Sequence, residues 1–459
     1  MKTWLEQLVA RSWNRHATRR TELVDSRALD LGAQVISGET TRQRVTIDQI
    51  RRAQSIAILG KTGAGKSSLI KYVASQDIQA GRGFLHVDWH GDTSEFLLRT
   101  IAARERVLKV DLSDRLIVID PTDPEFSVGL NPLEQQGAAD RFVQIAEFAQ
   151  ILKQRWQLES FGARTDELLR NSLYVLAENN LTIVELGPLL GHGAFRSRCV
   201  ASVGNPEVKQ YFEFRYDQVS DAMRAVMAEP ILNKTSAFIS DPRFRHIVGQ
   251  RRSTFSVVDA MDRVCWIILN LNKGRLGEQS ATLGSLFHAK FKHGLFARQR
   301  RALFTDYFDE IQNLVALGGG LETMLAEARK FGVGVVSANQ FLDQYPPDMR
   351  AAILAVGTHI FFQLSSSDAQ QVAAALDGGK SLAELLKNLP QRHMIVKTGH
   401  ERWREAVVPT VHDPRIDASD LLTRSRARWA RSRNEIEAEI RGRQAFIGRS
   451  RTEALHDWE

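Results

Sequence analysis

The sequence predicts an α/β protein with a mainly parallel central sheet that is interrupted by an all-α insertion. Seven short apolar runs rich in β-branched residues alternate with segments of helical periodicity, which is typical of a parallel sheet flanked by helices. A long stretch, residues 134–252, shows helix-period apolar patterning and little strand character. The seven predicted strands of the sheet are residues 55–60, 83–89, 115–120, 264–272, 302–309, 332–339 and 359–364.

Composition and charge exclude several other classes of protein. The 459 residues carry 61 Lys and Arg against 54 Asp and Glu; the net charge of +7 and the pI of 9.4 permit an anionic partner without requiring one. The cysteines, Cys199 and Cys265, lie far apart and have no ligand spacing, so neither a disulfide framework nor a zinc site is indicated. The longest apolar run, residues 265–271, is far shorter than the ~20 residues that span a bilayer. The amino terminus lacks the apolar core of a signal peptide, and we therefore expect a cytoplasmic protein with no membrane segment of its own.

A glycine-rich loop follows the first predicted strand. The residues GKTGAGKS, 60–67, have the spacing G-x-x-x-x-G-K-[ST] and lead directly into a helical sequence. Glycines allow such a loop to turn its backbone N–H groups toward phosphates at a helix N-terminus. We expect Lys66 to reach the β- and γ-phosphates of ATP and the Ser67 hydroxyl to ligate Mg²⁺. A glycine-rich turn with a chance lysine is the alternative, which the flanking strand and helix disfavour. The predicted ATP-binding loop is Gly60, Lys61, Thr62, Gly63, Ala64, Gly65, Lys66, Ser67 and Ser68.

Hydrolysis of ATP also requires acidic side chains at the end of a neighbouring strand. The run ALFTDYFDEIQNL supplies Asp309 and Glu310. Because parallel strands present ligands at their carboxyl ends, we expect Asp309 to hold Mg²⁺ through water and Glu310 to orient or deprotonate the attacking water. Asp306 lies earlier in the same apolar run, and a carboxylate buried in mid-strand is costly unless it has a partner. Either Asp306 faces a polar contact or the register of the predicted strand is misread.

A second acidic stretch ends the strand FLHVDW. Asp88, His90 and Asp92 have a spacing that could indicate metal ligands, but three ligands from one strand end make a poor cage. A turn rich in Gly and Asp explains most of the pattern. Asp88 is predicted to be an acid that faces the nucleotide.

The segment ARKFGVGVVSANQ, residues 328–340, places Arg329 before a predicted strand and Gln340 at its carboxyl end. Arg329 could simply favour the dipole of the helix that it ends. The functional alternative is an arginine finger, which stabilises negative charge on the γ-phosphate and accelerates hydrolysis by ~10³ to 10⁵. Gln340 is predicted to sense the γ-phosphate or the attacking water.

Taken together, these stretches resemble the HerA/FtsK superfamily of DNA-pumping ATPases, most closely the soluble cores of TraD/TraG-type conjugative coupling proteins of type IV secretion. The resemblance runs from about residue 30 to about residue 410. It includes GKTGAGKSS, DWHGD, GLNPL, NKGRLGEQSATLGSLF, FDEIQ, ARKFGVGVVSANQ and QYPPDMRAAILAVGTHIFF.

The resemblance implies a RecA-like P-loop ATPase domain that uses ATP and Mg²⁺. It implies that Lys66 and Ser67 form the phosphate-loop pair and that Asp309 and Glu310 form the second acidic motif. It also implies that Arg329 acts on the site of a neighbouring subunit while Gln340 acts as the sensor. Asp88 matches an acid near the nucleotide in the HerA branch of the superfamily. Coupling proteins usually carry amino-terminal transmembrane helices and an apolar residue in place of Asp306, and this chain departs from them at both points.

The predicted organisation has four parts. Residues 31–133 and 253–412 form the RecA-like nucleotide-binding domain, and residues 134–252 form the all-α insertion domain, which in coupling proteins meets DNA or a relaxase complex. Residues 1–30 are an amino-terminal helical segment, and residues 413–459 are an arginine-rich helical tail. This tail is either a solvated helix of mixed charge or a surface for nucleic acid or a partner.

The resulting functional hypothesis is a DNA translocase that hydrolyses ATP between subunits of a homo-hexameric ring and moves DNA through the pore. Its partners would be DNA, contacted mostly through phosphates, and a relaxase, nuclease or secretion-channel protein that could recruit it to the inner membrane. Two alternatives stay open, namely an ATP-gated scaffold that recruits a nuclease or secretion partner, and a protein-export motor of the same superfamily.

Overall fold

The computed structural model describes residues 28–135, 140–158, 162–315 and 320–456. The predicted helical segment at residues 1–30 therefore lies almost wholly outside the described residues. The strands are β1 (Leu29–Ile36), β2 (Glu39–Ile47), β3 (Ile56–Leu59), β4 (Gly83–Asp88), β5 (Leu116–Ile119), β6 (Phe126–Ser127), β7 (Trp266–Asn270), β8 (Phe304–Phe308), β9 (Val333–Asn339), β10 (Thr358–Phe361), β11 (His393–Thr398), β12 (Arg404–Val407) and β13 (Arg431–Ser432).

One large sheet organises the chain. Its strand order is β2-β1-β12-β11-β10-β3-β9-β8-β4-β7-β5. From β10 to β5, every neighbouring pair is parallel. The strands of this parallel part are the seven predicted from the sequence, and the predicted RecA-like α/β fold class is confirmed.

The sequence did not predict the antiparallel end of the sheet. There β10 pairs with β11, β11 with β12, β12 with β1 and β1 with β2, each in antiparallel register. Most residues of β2 are exposed or half-buried, so the strand lacks the continuous apolar run that marks a strand covered on both faces.

Helices cover both faces of the sheet. None of the described helices is long and apolar enough to cross a membrane. The α-helices are Gln49–Ala53, Lys66–Ala80, Asp92–Leu108, Arg141–Arg155, Ala163–Glu178, Leu186–Gly191, Gly193–Ala201, Pro206–Gln210, Asp221–Ile239, Pro242–Val248, Val257–Asp262, Lys273–Leu276, Gln279–Ala297, Gln312–Val315, Leu321–Glu327, Pro347–Leu354, Ser366–Ala375, Gly379–Asn388, Ser419–Trp429 and Arg433–His456.

Alternation along the strands separates two cores. In β4, Leu85 and Val87 point to the core that continues into the helices of residues 140–262. Phe84 points to the other face, where it packs with Leu69 and Ile70 of the helix Lys66–Ala80. Side chains alternate between the two faces along each strand, so every second residue faces the side of the helix Lys66–Ala80.

The described residues between 140 and 262 form helices and no strand. Side-chain caps start several of them: Ser220 accepts a hydrogen bond from the amide of Met223, and Asp241 accepts one from the amide of Arg243. The division of the chain into domains at residues 133/134 and 252/253 stays a prediction.

The arginine-rich carboxyl-terminal segment folds back on the rest of the chain. Arg424 forms ion pairs with Glu105 and Asp111. Further along, Arg443 pairs with the fully buried carboxylate of Glu185, 2.8 Å away. Several arginines of this segment are therefore engaged within the chain, and Arg443 contacts the helical stretch of residues 140–262.

Candidate active site

The phosphate loop lies between β3 and the helix Lys66–Ala80. Gly63 and Gly65 have φ values of 76° and 124°, which other residues rarely adopt. Gly60 is needed for a different reason, because a Cβ atom there would lie 2.6 Å from the Cβ of Phe362. The loop therefore delivers the first amides of the helix, which have no intrahelical acceptor, to one edge of the sheet.

Lys66 is held by the loop that it follows. Its Nζ donates to the carbonyl oxygens of Gly60 at 2.6 Å and Lys61 at 3.0 Å. The residue is 8 % exposed, and burial lowers the pKa of the ammonium, while the carboxylates of Asp309 and Glu310 favour its charged form. The ammonium thus lies between the phosphate loop and the acidic pair.

The candidate magnesium ligands converge. Ser67 Oγ donates to Asp309 Oδ2 at 2.8 Å. Mg²⁺ takes oxygen ligands and is commonly held by one or two such side chains together with substrate phosphates. The hydroxyl and the carboxylate, placed beside an amide-rich phosphate loop, fit this ion.

Glu310 follows Asp309 in a turn after β8 and has a φ of 54°. Its carboxylate accepts a hydrogen bond from Gln340 Nε2 at 3.0 Å through Oε1. The Oε1 of Gln340 in turn accepts from the Thr62 hydroxyl of the phosphate loop at 3.0 Å. The side chain of Gln340 therefore links the phosphate loop to the second acidic residue.

Asp88 lies close by, but its carboxylate is engaged locally. It accepts hydrogen bonds from the amides of His90 and Gly91 at 3.0 and 2.8 Å, and from the amide and hydroxyl of Ser94, both at 2.8 Å. These bonds organise the turn that starts the helix Asp92–Leu108, and they help to lower the pKa of Asp88 against the opposing effect of burial. Contact of Asp88 with a nucleotide stays a prediction. Among the described residues no cluster of metal-ligating side chains is found, including at Asp88, His90 and Asp92.

Arg329 lies at the opposite edge of the sheet. It belongs to a short 3₁₀ turn, Ala328–Phe331, that precedes β9, whereas Gln340 follows β9. Seven residues of extended strand separate the two edges, and at about 3.3 Å per residue they span about 23 Å. Arg329 is exposed. Its guanidinium therefore cannot reach the phosphate loop of its own chain.

Asp306 is fully buried within β8, on the same face as Phe304 and Phe308. Its Oδ1 has no hydrogen-bond partner among the described residues. Burial raises the pKa of this carboxyl to about 7, opposed by the charge of Arg298. Because the buried carboxyl holds its proton more tightly than an exposed one, an acid can lie in the middle of β8 in the predicted register.

Sequence reasoning missed a buried charged network beneath β8. The Arg52 guanidinium pairs with Asp77 of the phosphate-loop helix and donates to the hydroxyls of Thr305 and Tyr307 at 2.9 and 2.8 Å. Arg82 also donates to Asp77 at 2.6 Å. Because these residues are far apart in the sequence and follow no motif, only the folded chain reveals that they join the helix to the strand of Asp309.

Four cations that by charge alone could contact DNA differ in their surroundings; they are Lys273, Arg275, Lys290 and Lys292. Lys290 is buried and bonds to the carbonyl oxygen of Glu134, and Lys292 pairs with Glu147. These two lysines therefore form contacts within the chain. Lys273 and Arg275 are exposed at the end of β7.

Comparisons with known proteins concern the domain and the fold. The sequence model of the central domain of the helicase HerA matches residues 32–188. No curated protein matches the chain by sequence.

Solved structures share the fold over most of the chain. The unbound conjugative coupling protein TrwB, lacking its first 70 residues, superimposes with a TM-score of 0.59 at 15% identity, covering 87% of this chain and 94% of that one. TrwB in complex with ADP and Mg²⁺ gives 0.60 at 15% identity, covering 86% and 98%. VirB4 of Thermoanaerobacter pseudethanolicus gives 0.56 at 14% identity, covering 85% and 98%. The resemblance predicted from the sequence is confirmed at the level of the fold.

Proposed function

We propose that this chain, a P-loop ATPase of the HerA/FtsK type by fold, hydrolyses ATP at the carboxyl edge of its parallel sheet and uses the energy to move DNA. The observation that carries the proposal is the convergence of three strand ends. Ser67 and Asp309 meet at 2.8 Å, and Gln340 bridges Thr62 and Glu310 through two bonds of 3.0 Å.

Each side chain has a role that its position supports. The Lys66 ammonium would balance the charge of the β- and γ-phosphates, and the Glu310 carboxylate would orient the attacking water and accept its proton. Gln340 contacts both the phosphate loop and Glu310, so loss of the γ-phosphate would alter both of its hydrogen bonds. Mg²⁺, held by Ser67 and Asp309, would neutralise charge on the phosphates.

The position of Arg329 supports a ring. The two ends of β9 lie about 23 Å apart along the strand, so Arg329, which precedes β9, would act as a finger on the site of another subunit. Head-to-tail contacts that repeat this relation form a ring when the rotation between subunits closes. We infer a homo-hexamer with the nucleotide between subunits, by the resemblance to coupling proteins.

DNA is the proposed substrate of the ring. Movement along DNA requires contacts to phosphates that are independent of sequence, so binding should weaken steeply as salt rises. The exposed Arg275 is available for such contacts. The alternative role of the arginine-rich tail in recruiting a partner loses support, because its arginines at 424 and 443 pair with carboxylates of the same chain.

The test measures ATP hydrolysis of the purified protein with and without single- and double-stranded DNA. Lys66→Ala, Glu310→Gln and Arg329→Ala should each abolish DNA-stimulated turnover, whereas Arg106→Ala, an exposed arginine of the helix Asp92–Leu108, should retain it. Mixing Arg329→Ala with Lys66→Ala subunits should restore part of the activity. Turnover that ignores DNA would reject the translocase in favour of a protein-export motor or scaffold. If Arg329→Ala hydrolyses ATP at the wild-type rate, the proposal that Arg329 completes the site of a neighbouring subunit is rejected.

A further inference from the structure

The turn that carries Glu310 is held in an unusual conformation. A left-handed backbone at a non-glycine residue costs about 1 kcal/mol or more and persists only where its surroundings fix it. Here the amide of Ile311 donates to the carbonyl of Ala338 at 3.1 Å, and the amide of Asn313 donates to the carbonyl of Glu310 at 3.0 Å. The direction of the Glu310 side chain is therefore set by the segment of residues 310–313.

Two further side chains face the second oxygen of Glu310. Asn313 Nδ2 donates to Oε2 over 3.4 Å, and His90 Nε2 lies 3.4 Å from the same oxygen. With Gln340 on Oε1, the carboxylate has polar neighbours on both sides. Neither Asn313 nor His90 belongs to the phosphate-loop, acidic-pair or finger residues described above.

Both neighbours are anchored by residues outside the phosphate loop and the acidic pair. The carbonyl oxygen of His90 accepts from Asn272 Nδ2 at 2.7 Å. The side-chain oxygen of Asn313 accepts from Lys273, and its carbonyl oxygen accepts from Arg155 Nη2 at 2.7 Å. Arg155 is the last residue of the helix Arg141–Arg155, which belongs to the helical insertion.

We propose that His90 and Asn313 are positioning residues for the Glu310 carboxylate, and that Arg155 ties the segment of residues 310–313 to the helical insertion. The inference rests on the proposed function, because it assigns Glu310 a role in water attack. A change in the position of the insertion would then alter the direction of this carboxylate. This gives the insertion a direct route to the rate of hydrolysis.

The first test separates positioning from nucleotide binding. His90→Ala and Asn313→Ala should each lower kcat on the order of tenfold, because small misplacements of a reacting group are costly. The affinity for a fluorescent ADP analogue should be unchanged, since neither residue belongs to the phosphate loop. His90→Gln, which keeps a donor, should recover part of the loss. His400→Ala, at an exposed histidine between β11 and β12, is the matched control.

The second test examines the route from the insertion. Arg155→Gln should lower kcat in the same way, and the double variant Arg155→Gln/Asn313→Ala should fall no further than the lower single variant, because both act through one segment. Losses that multiply would overturn the link to the insertion. A kcat that is unchanged or raised in His90→Ala and Asn313→Ala would overturn the positioning role.

The wild type and Lys66→Ala distinguish this failure from a failure of the proposed function. If the wild type shows no turnover beyond that of Lys66→Ala, the ATPase function itself is wrong. If the wild type is active and the positioning variants match it, only the present inference fails.

Discussion

Asp306→Asn removes a buried acid from the centre of β8 and should change how stability depends on pH. The residue is 1 % exposed and lies between β4 and β9, opposite Leu85 and Val335. Asparagine has the shape of the protonated acid but cannot ionise. The variant therefore isolates the cost of placing a carboxylate charge among apolar side chains.

The magnitude follows from the pKa of the carboxyl, which burial raises from 3.8 to about 7. Each pKa unit corresponds to about 1.4 kcal/mol, so ionisation in the folded chain costs about 4 kcal/mol relative to the unfolded chain. The sign is fixed because the folded state binds the proton more tightly. The free energy of unfolding of the wild type is highest below pH 4 and falls by about 4 kcal/mol as the pH rises to 7. Above pH 7 this difference stays constant.

Urea unfolding of both proteins, followed by tryptophan fluorescence at pH 5 and pH 8.5, measures the effect. The free energy of unfolding of Asp306→Asn relative to wild type should rise by about 3 kcal/mol between these two pH values. Asp348→Asn, at an exposed aspartate of the helix Pro347–Leu354, should show no such rise. A difference between Asp306→Asn and wild type that is independent of pH, or that falls as the pH rises, would refute the reasoning.

Two further substitutions test the phosphate loop and the helix that follows it. Asp77→Ala leaves the fully buried Arg52 guanidinium without its carboxylate and should lower the free energy of unfolding by about 3–5 kcal/mol in urea, against little change for Asp348→Ala. Equal stability of Asp77→Ala and wild type would show that the network is dispensable. Gly60→Ala forces a Cβ to within 2.6 Å of the Phe362 Cβ and should weaken binding of a fluorescent ADP analogue about tenfold or more. Full affinity in Gly60→Ala would contradict the steric account.

The parallel strands could be predicted because each is buried on both faces and reads as a continuous apolar run. The burial of every residue of β4 and of β9 is an example. The meeting of Ser67 with Asp309 was also predictable, since residues that follow parallel strands share one edge of the sheet. The strands β1, β2, β11 and β12 escaped prediction because they pair in antiparallel register and, in β2, present mostly polar side chains.

The remaining features of the site depend on contacts between distant segments. The approach of His90 to Glu310 joins positions 220 residues apart, although both follow strands that prove to be neighbours. Knowledge that β4 lies beside β8 would have predicted this pair. The strand order, rather than any motif, was the missing information.

The direction in which β9 runs relates the proposed roles of Gln340 and Arg329. Gln340 follows this strand at the edge of the chain's own phosphate loop, and Arg329 precedes it at the opposite edge. The strand between them is fully buried and paired in parallel with both neighbours, β3 and β8, so the separation of its ends is fixed. In the proposed ring, the two residues must therefore serve two different nucleotides. A shift of β9 that follows loss of one γ-phosphate would move the arginine at the adjacent site, and the mixed-subunit assay tests the premise that Arg329 serves that adjacent site.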